Sequence, residues 1–310
     1  MSHVPVMLCE VLQAVAAKDG DIVIDGTFGA GGYSRGILGA AKCRVVALDR
    51  DPDVQLLADA LARETPGRFL FLPGRFGAML SLLNRAGIEK VDAMVLDIGV
   101  SSMQLDQGER GFSFRADAPL DMRMERAGIS AYDVVNSYSE SELVKILREY
   151  GEEKNAKRIA HEIMMERSIG KITTTKQLAA IVDRVSFKRG HTKIHPATRT
   201  FQAIRIEVNQ ELAELRAALD ASLALLKPGG RLVVVTFHSL EDRIVKQFVQ
   251  SHSDKAQGAS RHVPLALVAP QHNAPFSKVS RVLPSEDEIA QNVRARSATL
   301  RYAIRAEVTA

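Results

Sequence analysis

Three aspartates each close a short apolar run. Ile22-Val23-Ile24 leads into Asp25, Val45-Val46-Ala47-Leu48 into Asp49, and Ala93-Met94-Val95-Leu96 into Asp97. The first is followed by a glycine-rich stretch, residues 25–34, reading D-G-T-F-G-A-G-G-Y-S. Gly26, Gly29, Gly31 and Gly32 lack a Cβ, so backbone there can approach a ligand closely and adopt positive φ at little cost. A helix opening from such a turn adds free N–H groups and a positive dipole end. An acid on the next strand, about 20 residues past the glycines, is placed to take ribose hydroxyls, and Asp49 is that acid. The dinucleotide fingerprint asks for a third glycine or alanine, where this chain has Ser34. A cofactor with a ribose and no pyrophosphate fits better. S-adenosylmethionine is therefore preferred over NAD or FAD, and a purely structural glycine turn is the remaining reading.

The elements that position these residues follow from hydrophobic spacing. The pattern predicts a short helix within 1–19, strands over 21–25, 44–49, 69–72 and 92–97, and helices from 35 to about 41, over 51–63 and over 78–86. Asp51-Pro52 supplies an N-cap followed by proline at the first helical position. Strands alternating with helices signal a parallel sheet with right-handed crossovers. Ligands then bind outside the carboxyl ends of the strands, so Asp25, Asp49 and Asp97 should line one crevice. After Asp97 the alternation stops. Residues 98–126 read as loop, and helical patterns follow over 139–150 (with Ser139 and Glu142 as a capping box), 154–167, 175–185, 196–208 and 211–226. The sheet pattern resumes with a strand over 231–236, and Phe237-His238-Ser239-Leu240 leads into a helix over 241–249. Ser239 with Asp242 reads as its N-cap. Residues 251–274 are polar and aperiodic, hence expected to be mobile, and 297–305 reads as a late antiparallel strand. The simplest organisation is a discontinuous domain, 1–104 and 198–310, split by a helical insertion over 105–197.

Composition narrows the function classes. An apolar content of 46% with 25% charged residues is ordinary for a soluble globular chain. No apolar run approaches the ~18 residues of a membrane span, and the first ten residues lack signal-peptide features, so a cytoplasmic protein with no membrane partner is expected. Cys9 and Cys43 are the two cysteines. Both sit among apolar neighbours without metal-type spacing, which suggests buried free thiols and no zinc. The net charge of +4 permits a polyanionic partner. Residues 184–205 carry Arg184, Lys188, Arg189, Lys193, Arg199, Arg205 and two histidines with no acid. This is either a solvated basic surface or a phosphate-contacting one. With no tryptophan and 5% aromatics, a large base-stacking platform is not expected.

Taken together, these segments resemble the bacterial small-subunit ribosomal RNA cytosine-N4 methyltransferases of the RsmH or MraW type. The matching stretches are H-V-P-V-M-L from His3, the glycine stretch from Asp25, A-L-D-R-D-P from Ala47 and L-D-I-G-V-S-S-M-Q-L-D from Leu96. R-G-F-S-F from Arg110, P-L-D-M-R-M from Pro119, H-P-A-T-R-T-F-Q-A-I-R-I from His195 and F-H-S-L-E-D-R-I-V-K from Phe237 complete the series. They span almost the whole chain in family order. The resemblance implies an α/β fold, a Rossmann-like S-adenosylmethionine-dependent methyltransferase sheet with an inserted all-helical, RNA-recognising domain. It further implies N4-methylation of a cytosine in the decoding region of 16S rRNA within the small ribosomal subunit. Cofactor contacts then fall on Gly31, Gly32, Tyr33, Asp49, Phe76, Asp97 and Gln104. Three departures stand out: Tyr33 where the family usually shows His, so that only a backbone role transfers; Met103 where Pro usually precedes Gln104; and no Pro in Asn292-Val293-Arg294-Ala295-Arg296-Ser297. A homodimer is compatible with this reading.

Methyl transfer from a sulfonium is an in-line displacement governed by alignment and dehydration. The exocyclic amine of cytosine is a poor nucleophile, and a nearby acceptor would favour attack. Asp97 is the candidate catalytic acceptor, bridging cofactor and target amine. The aromatic of a D-P-P-Y-type motif is missing from Asp97-Ile98-Gly99-Val100. His238 is a second candidate for touching the base, Asp25 is a candidate for the methionine amine, and Phe76 without the family would read as core packing. The rival readings are a DNA amino-methyltransferase and a non-catalytic protein that binds S-adenosylmethionine or RNA.

Overall fold

The structure is a computed structural model and describes residues 5–185, 195–253 and 274–307. The chain forms two compact units, Met1–Gly99 with Ala213–Ala310, and Val100–Leu212. The span 105–197, expected as an insertion, falls within the second unit, which also takes in 100–104 and 198–212.

The first unit begins with α1 (Leu8–Val15), which buries Val11, Ala14 and Val15. Cys9 lies on its exposed side, contrary to the expectation of two buried thiols, whereas Cys43 is buried. β1 (Ile22–Asp25), α2 (Gly32–Ala40), β2 (Arg44–Asp49), α3 (Gln55–Glu64), β3 (Phe69–Pro73), α4 (Met79–Arg85) and β4 (Val91–Asp97) then alternate as predicted. Asp51 caps a 3-10 turn, Pro52–Val54, that feeds α3, and its Oδ1 accepts from Asp53 N–H at 3.0 Å. In β2, Val45, Val46, Ala47 and Leu48 are all fully buried. Successive strand residues face opposite sides, so the sheet is covered on both faces, as parallel sheets require.

The second unit is helical: α5 (Ser102–Asp106), α6 (Ala131–Ser137), α7 (Glu140–Glu149), α8 (Ala156–Ile169), α9 (Thr175–Val185) and α10 (Ala197–Asn209). Its core joins Leu143, Ile146 and Leu147 of α7 to Ile159 and Ile163 of α8, Leu178 and Val182 of α9, and Phe201 and Ile204 of α10. Helix α7 has the capping box read from Ser139 and Glu142. Helix α5 corrects the loop reading of 98–126. Ser101 Oγ accepts from Gln104 N–H at 3.2 Å and Gln104 Oε1 from Ser101 N–H at 3.0 Å, a capping box that stabilises a helix too short to show a period. Much of 107–130 lacks regular structure but is pinned by side chains. Asn209 bonds Met124 N–H and the Met122 carbonyl, and Arg110 donates to the carbonyls of Arg123 and Met124.

The chain returns through α11 (Glu211–Leu225) to β5 (Leu226–Thr236), α12 (Ser239–Ser251), β6 (Phe276–Val282), α13 (Glu286–Gln291) and β7 (Thr299–Arg305). Strand β5 starts five residues earlier than its apolar run, because Lys227 reaches both Asp92 carboxylate oxygens at 2.8 Å and holds Leu226 beside Val91. The strand order is β3-β2-β1-β4-β5-β7-β6. Strands β1 to β5 pair in parallel, and β7 runs antiparallel between β5 and β6. The order in which successive strands are added reverses between β1 and β4, which makes the crevice at their carboxyl ends the topological switch point. Residues 254–273, most of the segment expected to be mobile, lie outside the described residues, as do Lys188, Arg189 and Lys193 of the basic window.

Candidate functional site

Asp25 and Asp97 end the two strands that flank the switch point, and Asp49 ends the neighbouring strand. The turn after Asp25 is folded back onto the sheet. Gly26 N–H donates to the Val95 carbonyl and Phe28 N–H to the Leu48 carbonyl, both at 2.9 Å. Gly31 has φ +79° and is the N-cap of α2, which therefore starts at Gly32, three residues before the apolar spacing implied. A Cβ on Gly31 would meet the Phe28 ring at 2.9 Å, and one on Gly32 would meet Pro5 Cγ at 2.1 Å. Only glycine fits at either position.

Each carboxylate has its own surroundings. Asp25 is fully buried, and its Oδ2 accepts from Ser34 Oγ at 2.7 Å. Burial pushes its carboxyl up, and the Ser34 hydroxyl partly offsets this. Ser34, read from sequence as a weakened third small position, instead serves as the hydroxyl that satisfies Asp25. Asp49 accepts from Gly29 N–H at 2.7 Å on Oδ2 and from Asp51 N–H at 2.9 Å on Oδ1. Its carboxyl is pushed up to about 6, by burial above all. Each of its oxygens retains an unused lone pair. Asp97 is fixed by its backbone, with its N–H donating to Thr27 Oγ1 at 2.7 Å. Its Oδ1 is buried with no hydrogen-bond partner among the described residues. Burial first, then the neighbouring Asp25 and Glu241, push its carboxyl to about 8.

Sequence reasoning missed Glu241 as a member of this group. It is fully buried at the start of α12. Its Oε2 accepts from Phe237 N–H at 2.9 Å and His238 N–H at 3.2 Å, and its Oε1 lies 2.8 Å from His238 Nε2. The N-cap of α12 is therefore His238 rather than Ser239, with Glu241 reaching back from the third helical position. The F-H-S-L-E spacing held that signal: an acid three residues after a capping position. Thr27 was missed for a different reason, since its bond to Asp97 joins residues 70 apart in sequence.

The remaining expected residues fall in several places. Tyr33 is buried, and its hydroxyl donates to the Val6 carbonyl. Burial and the Asp97, Asp25, Glu288 and Glu10 carboxylates hold this phenol well above its ordinary range, so its side chain remains a neutral donor and its backbone lies in the turn. Phe76 is half-buried and opens a 3-10 turn, Phe76–Ala78. Glu214 of α11 fixes that turn by accepting from Gly77 N–H at 2.9 Å and pairing with Arg75 at 3.4 Å. Gln104 belongs to the second unit, where it is buried and completes the capping box of α5. In the basic window, Arg184 pairs with Glu166 and Arg205 makes two bonds to Glu211, at 2.8 and 2.9 Å. Arg199 donates to the Glu152 carbonyl at 3.4 Å. Acids from outside the window thus face cations that the sequence shows without local partners.

What the first-unit cluster can do chemically follows from its charge. Asp25 and Glu241 add to burial in favouring the protonated form of Asp97, and a cation beside them would reverse that. A positively charged ligand carrying ribose hydroxyls suits an edge with Asp49 on one strand and Asp97 two strands away. A family model described as the MraW methylase family matches residues 1–306. A protein of Maricaulis maris is 54% identical over 99% of this chain and 92% of its own length. One of Methylobacterium nodulans is 54% identical over 96% and 89%, and one of Parvibaculum lavamentivorans 51% over 98% and 89%. All three carry the name ribosomal RNA small subunit methyltransferase H. Among solved structures, an rRNA methylase from Streptococcus thermophilus covers 99% of both chains at 11% identity, with a TM-score of 0.40. On the match along its length and the relatives it resembles, the chain belongs to the MraW methylase family.

Proposed function

We propose that this protein transfers a methyl group from S-adenosylmethionine to N4 of a cytosine in the decoding region of 16S rRNA, in the small ribosomal subunit. The observation that carries the reading is the glycine turn with three strand-ending carboxylates at the switch point of the sheet, in a chain more than 50% identical to proteins named for methylating small-subunit rRNA. That likeness favours RNA over DNA as substrate and an enzyme over a binding protein.

The residues present fit the cofactor. Asp49 would take the ribose hydroxyls on the lone pairs its backbone donors leave unused. Gly31, Gly32 and the backbone of Tyr33 would form the floor on which the amino-acid end rests. Phe76 would cover one side, and Gln104 is the remaining contact that the family resemblance implies. Bound there, S-adenosylmethionine supplies an electrophilic methyl on a sulfonium. The cationic charge matches the buried acids and would lower the Asp97 carboxyl from about 8 toward ionisation. Ionised Asp97 would offer a buried oxygen to the target amine: it would accept a hydrogen bond from the amine and orient it, and would take the proton released as the C–N bond forms and the sulfonium–methyl bond breaks to leave the neutral thioether. Water exclusion comes from the buried setting of that oxygen. Helical residues of the second unit would contact the rRNA, with exposed Arg184 and Arg199 as phosphate ligands. A protein acting on ribosomal subunits would work in the cytoplasm.

The test is transfer of tritiated methyl groups from S-adenosylmethionine to small subunits that lack their own cytosine modification, beside naked 16S rRNA and DNA. Incorporation into a cytosine of the subunit is expected; incorporation into DNA alone, or into nothing, would overturn the reading. Asp97→Asn should abolish turnover while affinity for S-adenosylhomocysteine, which lacks the sulfonium charge, changes little.

A further inference from the structure

The start of the described chain and its last helix meet at the glycine turn. Pro5 packs against the α-carbon of Gly32 so closely that a Cβ there would lie 2.1 Å from Pro5 Cγ. The Val6 carbonyl accepts the Tyr33 hydroxyl. Met7, in the left-handed region at φ 53°, donates its N–H to Glu288 Oε1. Glu288 is held in turn by its own N–H, which donates to Ser285 Oγ at 3.1 Å at the start of α13. Val6 and Met7 are buried. Three consecutive residues are thus fastened to three different points, two of them on the glycine turn.

The turn itself is walled on both sides. The Phe28 ring stands where a Cβ on Gly31 would go, and Pro5 where a Cβ on Gly32 would go. Its backbone shape depends on both walls, because glycine alone does not hold a positive φ. The Phe28 wall is anchored in the sheet by the bond from its N–H to Leu48. The Pro5 wall is held through its neighbours, by the bonds of Val6 to Tyr33 and of Met7 to Glu288.

Resting on the proposed function, we infer that residues 5–7 form a strap that pre-organises the cofactor turn, and that Tyr33 and Glu288 are positioning residues for S-adenosylmethionine acting through it. The Tyr33 hydroxyl is engaged by Val6, so its side chain contributes by holding the strap. Without the strap the turn samples other shapes when empty, and binding must restore one of them, which weakens affinity without altering the reacting groups.

The experiment measures S-adenosylhomocysteine binding by calorimetry, together with KM for S-adenosylmethionine, kcat and melting temperature, on the full chain. Tyr33→Phe removes only the hydroxyl. The cofactor dissociation constant and KM should rise about fivefold, the worth of one neutral hydrogen bond, with kcat at saturating cofactor unchanged. Glu288→Ala should give a rise of the same order, whereas Glu288→Gln, which keeps an acceptor oxygen for Met7 N–H, should restore wild-type affinity. A lower melting temperature with unchanged affinity in Tyr33→Phe and Glu288→Ala would show a merely structural role and overturn the inference. Should Tyr33→Phe fail to fold, the Glu288 pair decides alone. Wild-type protein that does not bind S-adenosylhomocysteine would overturn the underlying cofactor reading instead, so the two failures are distinguishable.

Discussion

Replacing Asp97 by asparagine should stabilise the fold, by an amount that grows with pH. The Asp97 carboxyl is raised from 3.8 to about 8, by burial and by the Asp25 and Glu241 charges. In the unfolded chain it titrates near its ordinary value, so between about pH 4 and pH 8 the folded state binds a proton that the unfolded state has lost. Stability therefore falls as pH rises through that window. Holding that proton back costs about 1.4 kcal/mol for each pH unit crossed, so the window as a whole amounts to on the order of 5 kcal/mol at pH 8 and above. Asparagine has nearly the same shape, carries no charge, and leaves the backbone N–H on Thr27 Oγ1 in place. Thermal melts of both proteins from pH 4 to pH 9 provide the assay. The two should melt together at pH 4, and the variant should gain steadily up to pH 8, reaching about 10 °C at roughly 2 °C per kcal/mol for a chain of this size. The gap should then level off. A gap that is constant with pH, or one that widens toward acid, would refute the electrostatic account. A more stable protein without turnover is what a site that holds a strained charge for function should give.

Other perturbations probe other parts. Asp49→Ala should cost more than tenfold in S-adenosylhomocysteine affinity by calorimetry, because the two backbone N–H groups it satisfies lose their acceptor as well as the ribose. Ser34→Ala removes the hydroxyl that Asp25 Oδ2 accepts from, so it should lower stability by about 1–3 kcal/mol in urea unfolding at neutral pH. Asn209→Ala leaves Met124 N–H and the Met122 carbonyl without their partner. Hydrogen exchange should then quicken around residues 122–124, with little change in the β-sheet amides of the first unit. Arg184→Ala with Arg199→Ala should weaken binding to small subunits and reduce the slope of log K against log[salt] by about one per lost phosphate contact.

The parts of the first unit that could be read in sequence are those dictated by local pattern. β1, β2 and β4 show as apolar runs because both their faces are buried, and each ends in an acid because the crevice lies at the carboxyl edge. β7 could be read from its alternation. β6 could not: its burial pattern alternates poorly, since Phe276 is buried while Ser277 and Lys278 are exposed at the sheet edge, and it is recognisable only by its pairing with β7. Helix α5 was hidden for a related reason, being five residues long, too short for a period, with its signal confined to Ser101 and Gln104.

At the site, the carboxylates were legible and the groups that govern them were not. Asp25, Asp49 and Asp97 announce themselves by position at strand ends. Thr27 and Glu241 do so only through contacts across the fold: a hydroxyl that fixes the Asp97 backbone, and a buried acid whose charge raises the Asp97 carboxyl. The basic window shows the converse. Its missing acids are a property of the segment, while Glu166 and Glu211 reach it from outside, so local charge overstates what is free to meet phosphate. Arg205, largely buried and bonded twice to Glu211, is a structural cation of the second unit, whereas exposed Arg184 carries an ion pair worth little in water and can exchange Glu166 for a phosphate. A run of like charge therefore identifies a nucleic-acid face only after each cation has been assigned its partners in the fold.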